Sequence, residues 1–183
     1  MNLWLRLLRL VLSALWRPRL EPIDEVSRLS FRVWPHDLDT SLHMNNGRYW
    51  TLMDLGRADV MIRSGLWRAV LREKWLPVVS AGKIRFRREL RLFRPFELQT
   101  RLVAWTDTAI VMEHRIVSRG RDGGEILAAI ALVRVGLYDR GARAFVPVAR
   151  ILAELGRPQA PSPALSPEVA AFLVAEDALK GAA

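Results

Sequence analysis

From Asp37 to Tyr49 the chain reads Asp-Leu-Asp-Thr-Ser-Leu-His-Met-Asn-Asn-Gly-Arg-Tyr, gathering two carboxylates, an imidazole, two carboxamides and a phenol in one short run. The residues that follow, Trp50 to Arg57, read as a helix. A polar loop that opens onto a helix amino terminus suits acyl chemistry. Free amides and the helix dipole attract a carbonyl oxygen as it gains negative charge. A neighbouring carboxylate can attack the carbonyl or activate a water, and the sequence does not choose between these roles.

The string resembles the signature of hotdog-fold acyl-thioesterases of the 4-hydroxybenzoyl-CoA thioesterase type, roughly D-x-D-x-x-G-H-V/M-N-N-x-x-Y followed by a helix carrying E-x-x-R. The resemblance runs from about Phe31 to about Tyr138. It implies that Asp39 is the catalytic carboxylate and that His43, Asn45, Asn46, Gly47, Tyr49 and Arg57 are supporting or substrate-binding positions. Two residues depart from the pattern. Leu42 stands where the family usually has glycine, at a point where a positive φ costs a leucine more than a glycine. Asp54 stands where the family usually has glutamate. Leucine before the histidine is usual in the branch around thioesterase superfamily member six, which this chain resembles most. By position in the second strand, the resemblance also implies a supporting role for Ser80 across a dimer interface.

Each position has a plainer reading beside the chemical one. Asp39 would serve equally as a turn or capping aspartate. His43 orients the loop or meets substrate, or is a satisfied buried histidine. Asn45 and Asn46 are N-cap candidates, and Tyr49 and Trp50 fit a core or interface as well as an acyl pocket. Asp54 and Arg57, three apart on the helix, pair with each other or brace Asp39. The amides of Asn46 to Arg48 are candidates to polarise a thioester carbonyl.

The elements that must hold this loop are legible in the periodicity. Ser27 to Trp34 alternates and predicts a strand with Leu29, Phe31 and Val33 on one side. The motif helix is expected to run to about Arg63, with Gly65 as its stop. Leu66 to Trp75 adds a short helix. Strands are expected over Pro77–Arg88, Phe96–Trp105, Ala109–Ser118 and Glu125–Tyr138, separated by turns at Arg94-Pro95, Asp107-Thr108 and Gly120–Gly124. The last strand is nearly all apolar, which suggests a central place in the sheet. One strand, one long helix and then four strands in succession is an α+β order, an antiparallel sheet wrapped around a single helix. Further on come a helix over Pro147–Leu155, a Pro/Ser/Ala linker at Pro158–Pro163, and a final helix opened by Ser166-Pro167-Glu168. The expected organisation is an amphipathic helix over 1–19, one hotdog domain over 26–140 and a helical extension over 145–183.

In the first segment, Met1 to Trp16, the polar residues Asn2, Arg6, Arg9 and Ser13, with Arg17 just beyond, recur at steps of three and four and fall on one helical stripe. The rest is apolar, and Pro18 ends the pattern. The segment is short for a transmembrane span and carries two arginines. Arg9 interrupts the apolar core that a signal peptide needs. An interfacial helix over residues 1–17, with tryptophans and leucines in lipid and arginines at headgroup level, fits best; the alternative is a helix packed on its own domain or a partner subunit.

At 183 residues with 51% apolar and 26% charged residues, one globular domain is the default. No cysteine is present, so there is no disulfide framework, thiolate nucleophile or Cys-ligated metal. The net charge of +9 suggests an anionic partner such as lipid, nucleic acid or a phosphorylated ligand like coenzyme A. Without a basic run or a nucleic-acid motif, nucleic acid is not expected. Lys83, Arg85 and Arg87 share a strand face and are candidates for CoA phosphates, or a solvated face. No G-x-S-x-G, P-loop, G-x-G-x-x-G or H-E-x-x-H occurs, and no metal or cofactor is expected. The resulting expectation is a cytoplasmic acyl-CoA or acyl-carrier-protein thioesterase, dimeric or tetrameric, with peripheral attachment to membranes through its first helix. The competing class is a non-catalytic acyl-binding hotdog protein.

Overall fold

The computed structural model describes residues 3–14, 16–120 and 122–180, with Lys180 described in its backbone only. Met1, Asn2 and Leu15 of the first segment, Arg121 of the expected 120–124 turn, and 181–183 of the extension lie outside the described residues. The elements are α1 (Leu3–Ala14), β1 (Ser27–Arg32), a single 3-10 turn (Pro35–Asp37), α2 (Asn46–Arg63), α3 (Leu66–Arg72), β2 (Trp75–Phe86), β3 (Pro95–Trp105), β4 (Ile110–Arg119), β5 (Glu125–Asp139), β6 (Ala144–Phe145), α4 (Val148–Glu154) and α5 (Pro167–Lys180). The strands form one sheet in the order β1-β3-β4-β5-β2, with β6 paired to β5. Residues 1–64, 84–101 and 114–130 form one compact unit; residues 65–83, 102–113 and 131–183 form another.

In the first unit, β1 runs antiparallel to β3 with Leu29 opposite Leu98 and Phe31 opposite Phe96, the two phenyl rings 5.7 Å apart. The expected alternation holds: Ser27, Leu29 and Val33 are buried. Helix α2 buries Tyr49, Leu52, Met53, Leu55, Gly56, Asp59 and Val60. Gly56 is what lets it lie close to β3. A Cβ there would run into Thr100 Oγ1 and stand 3.0 Å from Leu98 Cδ2. The helix starts at an Asn45 N-cap whose side chain accepts from the Gly47 amide at 2.8 Å. It ends before Gly65, which takes φ +84°, where only glycine is unstrained.

The second unit has its own apolar cluster of Ala104, Val111, Val169 and Phe172. Ser162 Oγ accepts from the Trp105 amide at 3.0 Å, so the Pro/Ser/Ala segment is bonded to a strand as well as linking two helices. Strand β5 is flanked on both sides, yet it lies next to the edge. The centre of the sheet is β4, the more continuously buried strand. Edge strand β2 is exposed along most of its length on both faces, although its sequence alternates.

Helix α1 packs against α2. It does so with its polar side. Arg6 and Leu10 are its buried residues, and Arg6 Nη2 lies 2.5 Å from Asp37 Oδ2. Beyond its end, Arg17 Nη1 lies 2.8 Å from Asp59 Oδ1. Trp4, Leu5, Leu8, Val11, Leu12 and Trp16 point outward, the two tryptophans 74% and 80% exposed. The expectation of arginines at headgroup level is thereby corrected for Arg6 and Arg17. Two buried carboxylates of the fold need cations, and the stripe supplies them; Arg9 alone of the helix arginines is exposed.

Candidate active site

The loop between the 3-10 turn and α2 closes on itself through its backbone. The Asp39 amide donates to the His43 carbonyl at 2.9 Å, and the Leu42 amide donates to the Asp39 carbonyl at 3.1 Å. Leu38 and Met44 form an antiparallel bridge beneath it. The Met44 amide donates to the Leu90 carbonyl at 2.8 Å, and His43 bridges Arg91, so a second strip braces the loop. Leu42 takes φ +60°. It adopts the conformation that the family's glycine would adopt freely, and its side chain is left 70% exposed.

Asp39 is half-buried within this loop. Its Oδ1 accepts from the Ser41 amide at 2.9 Å and the His43 amide at 3.3 Å, an Asx turn that fixes the carboxylate plane. Oδ2 has no hydrogen-bond partner among the described residues. Tyr49 is buried and packs edge-on to Phe86 with centroids 5.0 Å apart. Burial first, and then the Asp39 charge, push its phenol up to about 12, so it stays protonated. Its surroundings are those of a core residue that borders the carboxylate.

At the head of α2, the Gly47 amide is taken by the Asn45 side chain and the Arg48 amide donates to the Asn45 carbonyl at 2.8 Å. Of the three amides expected to polarise a carbonyl, only that of Asn46 is left without an acceptor among the described residues. Asn46 and Gly47 are both exposed.

His43 is half-buried, with Nε2 2.8 Å from Glu89 Oε2. Asp54 and Arg57 pair with each other, and no bond from either reaches Asp39. Arg57 Nη1 instead lies 3.2 Å from His114 Nε2. His114 is fully buried, and its Nδ1 lies 2.9 Å from Thr100 Oγ1. Guanidinium is donor-only, so Nε2 must accept and Nδ1–H donates to Thr100. Burial, and then the Arg57 charge, bring the His114 pKa down to about 3, so the ring is neutral. This buried relay ties α2 to β3 and β4, and no motif signals it, because a single histidine in Glu113-His-Arg115 carries no spacing.

Ser80 lies on β2 in the other unit, exposed, with Oγ donating to the Arg134 carbonyl at 3.4 Å. Lys83, Arg85 and Arg87 are all exposed, and none has an ion-pair partner among the described residues. Arg87 lies past the end of β2, and its amide donates to the Ala128 carbonyl at 2.8 Å, so the strand face expected of the three does not extend to it. Among the described residues no cluster of His, Asp and Glu is disposed to hold a metal ion.

Asp37, absent from the expected site, is the loop's hidden anchor. It is 1% exposed; Oδ2 takes the Arg6 guanidinium and, at 2.9 Å, the Trp34 amide, while its carbonyl accepts the Asn45 amide at 2.8 Å.

The Asp39 carboxylate is thus half-buried in a self-closed loop at the head of α2. The model of the Thioesterase-like superfamily matches residues 33–173, and the chain belongs to that family. Among relatives, the protein named THEM6 from Xenopus laevis is 40% identical over 108 residues, 59% of this chain and 52% of the relative. The chain spans about half the length of the curated relatives it matches. Similar solved structures include YbaW, a probable thioesterase from Escherichia coli (TM-score 0.63, 20% identity, 72% of this chain and 96% of that one). Another is the 4-hydroxybenzoyl CoA thioesterase of a Pseudomonas species (TM-score 0.63, 18% identity, 71% and 98%). The fold is therefore the hotdog fold, an antiparallel sheet around one long helix with helices added at both ends.

Proposed function

We propose that the protein hydrolyses acyl thioesters, of coenzyme A or of an acyl-carrier protein, with Asp39 as the reacting carboxylate. The observation that carries this reading is the unpartnered Oδ2 of Asp39. Two amides restrain one oxygen, and the other is free to act. As a nucleophile it would attack the thioester carbonyl, expel the thiolate and leave a mixed anhydride for water to cleave; as a base it would take a proton from the attacking water. The free Asn46 amide at the positive end of α2 suits the oxygen that gains charge in either route. Substrate class comes from the family and from the 4-hydroxybenzoyl CoA thioesterase likeness. Lys83, Arg85 and Arg87 are carried forward individually as CoA phosphate contacts.

The test is thiol release from short, long and aromatic acyl-CoAs by wild type and Asp39→Asn in parallel. Hydrolysis predicts a loss of about 100-fold or more in the variant with the fold intact. Wild type inactive on every CoA and carrier-protein thioester, yet binding acyl-CoA, would make it an acyl-binding protein instead. The long exposed edge of β2, with Leu76 and Val79 in the open, supports a homodimer or homotetramer; light scattering on the purified chain reads this directly.

A peripheral membrane role is supported by a separate observation, the outward apolar face of α1 with Trp4 near its start and the exposed Trp16 just beyond its end. Tryptophan and leucine on one helix face suit the headgroup–acyl boundary, and the net positive charge favours anionic lipid. Among the described residues, no helix is long and apolar enough to cross a membrane. Sedimentation with anionic vesicles should lose the protein to the supernatant when Trp4, Leu8 and Trp16 are replaced by serine. A wild type that never sediments rules the role out.

A further inference from the structure

We infer that Arg6 is a positioning residue for the Asp39 loop, acting through the buried Asp37 carboxylate; the catalytic half of this inference rests on the thioesterase reading above. Both flanks of the loop hang from Asp37. On one side its carboxylate accepts the Trp34 amide at 2.9 Å, capping a 3-10 turn that the Asp37 amide closes onto the Trp34 carbonyl at 2.8 Å. On the other its carbonyl holds the Asn45 amide at 2.8 Å, fixing the N-cap of α2. Asp39 lies between those two bonds. A carboxylate only 1% exposed keeps its place only while its charge is compensated.

Two guanidinium groups and one imidazole face it. Arg6 is 3% exposed in its side chain and stands 2.5 Å from Oδ2. His36 Nε2 at 3.4 Å and Arg48 Nε at 3.8 Å approach Oδ1, which has no hydrogen-bond partner, and both side chains are about one-third exposed. Arg6 is thus the buried, short partner. Its guanidinium is itself fixed, since Nη2 also reaches the Arg32 carbonyl at 3.4 Å and Cζ lies 5.8 Å from the centre of the Phe31 ring. Both bonds leave the one Nη2, whose place is set by a rigid guanidinium plane beside the Phe31 ring that a flexible lysine ammonium lacks.

The seating of α1 does not depend on this contact alone. Arg17 ties the end of the same segment to Asp59, and α1 packs along α2. Arg17 makes no bond to the loop; its second amino group donates to the Arg28 carbonyl at 3.0 Å. The segment therefore carries two anchors, of which one holds the reactive loop.

The test uses the full chain as wild type, Arg6→Gln, Arg6→Lys and Arg17→Gln, with two readouts. Amide hydrogen exchange is followed at Trp34 and Asn45 against Ala104 and Val111 in the strands, and kcat and KM are measured on whichever thioester the wild type cleaves. Arg6→Gln should speed exchange at Trp34 and Asn45 by about tenfold or more with the strand amides unchanged. It should also lower kcat by about tenfold to 100-fold with KM within about twofold. Arg6→Lys should fall between it and wild type, and Arg17→Gln should leave Asn45 exchange and kcat near wild type. Unchanged exchange at Trp34 and Asn45 in Arg6→Gln, or equal effects of Arg6→Gln and Arg17→Gln, would overturn the inference. If Arg6→Gln does not fold, Arg6→Lys against Arg17→Gln decides the same question. If the wild type cleaves no thioester, the thioesterase reading fails alone, and the exchange data still decide whether Arg6 holds the loop.

Discussion

The Leu42 amide closes onto the Asp39 carbonyl at 3.1 Å, and to make that turn Leu42 takes φ +60°. A leucine held in the left-handed region carries about 1–2 kcal/mol of steric cost that glycine does not. Glycine repays part of this through its larger entropy loss on folding, about 0.5–1 kcal/mol. The side chain is mostly exposed, so little packing is lost with it. Leu42→Gly should therefore leave the urea midpoint unchanged or raised, by at most about 1 kcal/mol in stability. Leu42→Val, β-branched at the same φ, should lower it by at least as much. Loss of stability in Leu42→Gly equal to that in Leu42→Val would show that the turn is not strained.

Gly56 reverses the usual ranking within helices. On an open helix face, glycine to alanine gains about 1 kcal/mol from propensity. Here a methyl group would meet Thr100 Oγ1 and press on Leu98, inside the contact between α2 and β3. Thr100 is also the acceptor for His114, so it cannot move aside without loosening that bond. Gly56→Ala should cost about 1–3 kcal/mol net, as overpacking does elsewhere. A thermal midpoint at or above wild type would show that Thr100 yields freely.

His114 makes stability depend on acid. Its folded pKa of about 3 lies below the ordinary value of about 6.5 for an unfolded histidine. Between those values the unfolded chain binds the extra proton, so stability rises with pH there. The contribution is complete above about pH 6.5 and is lost as pH falls toward 3, by at most about 1.4 kcal/mol for each pH unit. Urea midpoints at pH 7.5 and pH 5 should show that loss in wild type. His114→Gln, though less stable at pH 7.5, should show a flatter dependence over the same range. Parallel slopes would mean that other groups govern the acid limb.

How far these features could be read in advance depended on sequence distance. Helix α2 announced itself through local signals, the Asn45 cap and the Gly65 stop, because capping is settled within a turn. The strand periods located β1 and β3 to β5 to within a residue or two, since burial on one face leaves its mark along the strand. The 3-10 turn at Pro35–Asp37 escaped, because so short an element shows no period. The polar stripe of the first helix was visible, but its direction was not. Whether Arg6 meets water or Asp37, 31 residues away, is decided by tertiary contact. Leu42 was an evident departure from the glycine of the motif, and only the backbone shows that the departure is tolerated in place. His114 was silent for the same reason as Asp37: each is defined by the partners that folding brings to it.

Asp59 gives a ranking that separates a buried charge from its partners. The carboxylate is fully buried and is met by Arg17 at 2.8 Å, by the Ser27 hydroxyl at 2.6 Å and by Arg63 at 3.3 Å. Removing the carboxylate strands three donors, two of them charged, and leaves a small void on α2. Asp59→Ala should cost about 3–5 kcal/mol, the range for breaking a buried pair. Removing Arg17 leaves Arg63 and Ser27 in place, and Arg17 is itself 29% exposed, so part of its interaction is already screened by water. Arg17→Ala should cost about 1 kcal/mol or less. The double variant should then be little worse than Asp59→Ala alone, since the second change removes a contact that the first has already lost. Urea unfolding of the three variants and wild type tests the order. Additive losses would mean that Arg17 acts through packing on α2 rather than through the Asp59 carboxylate.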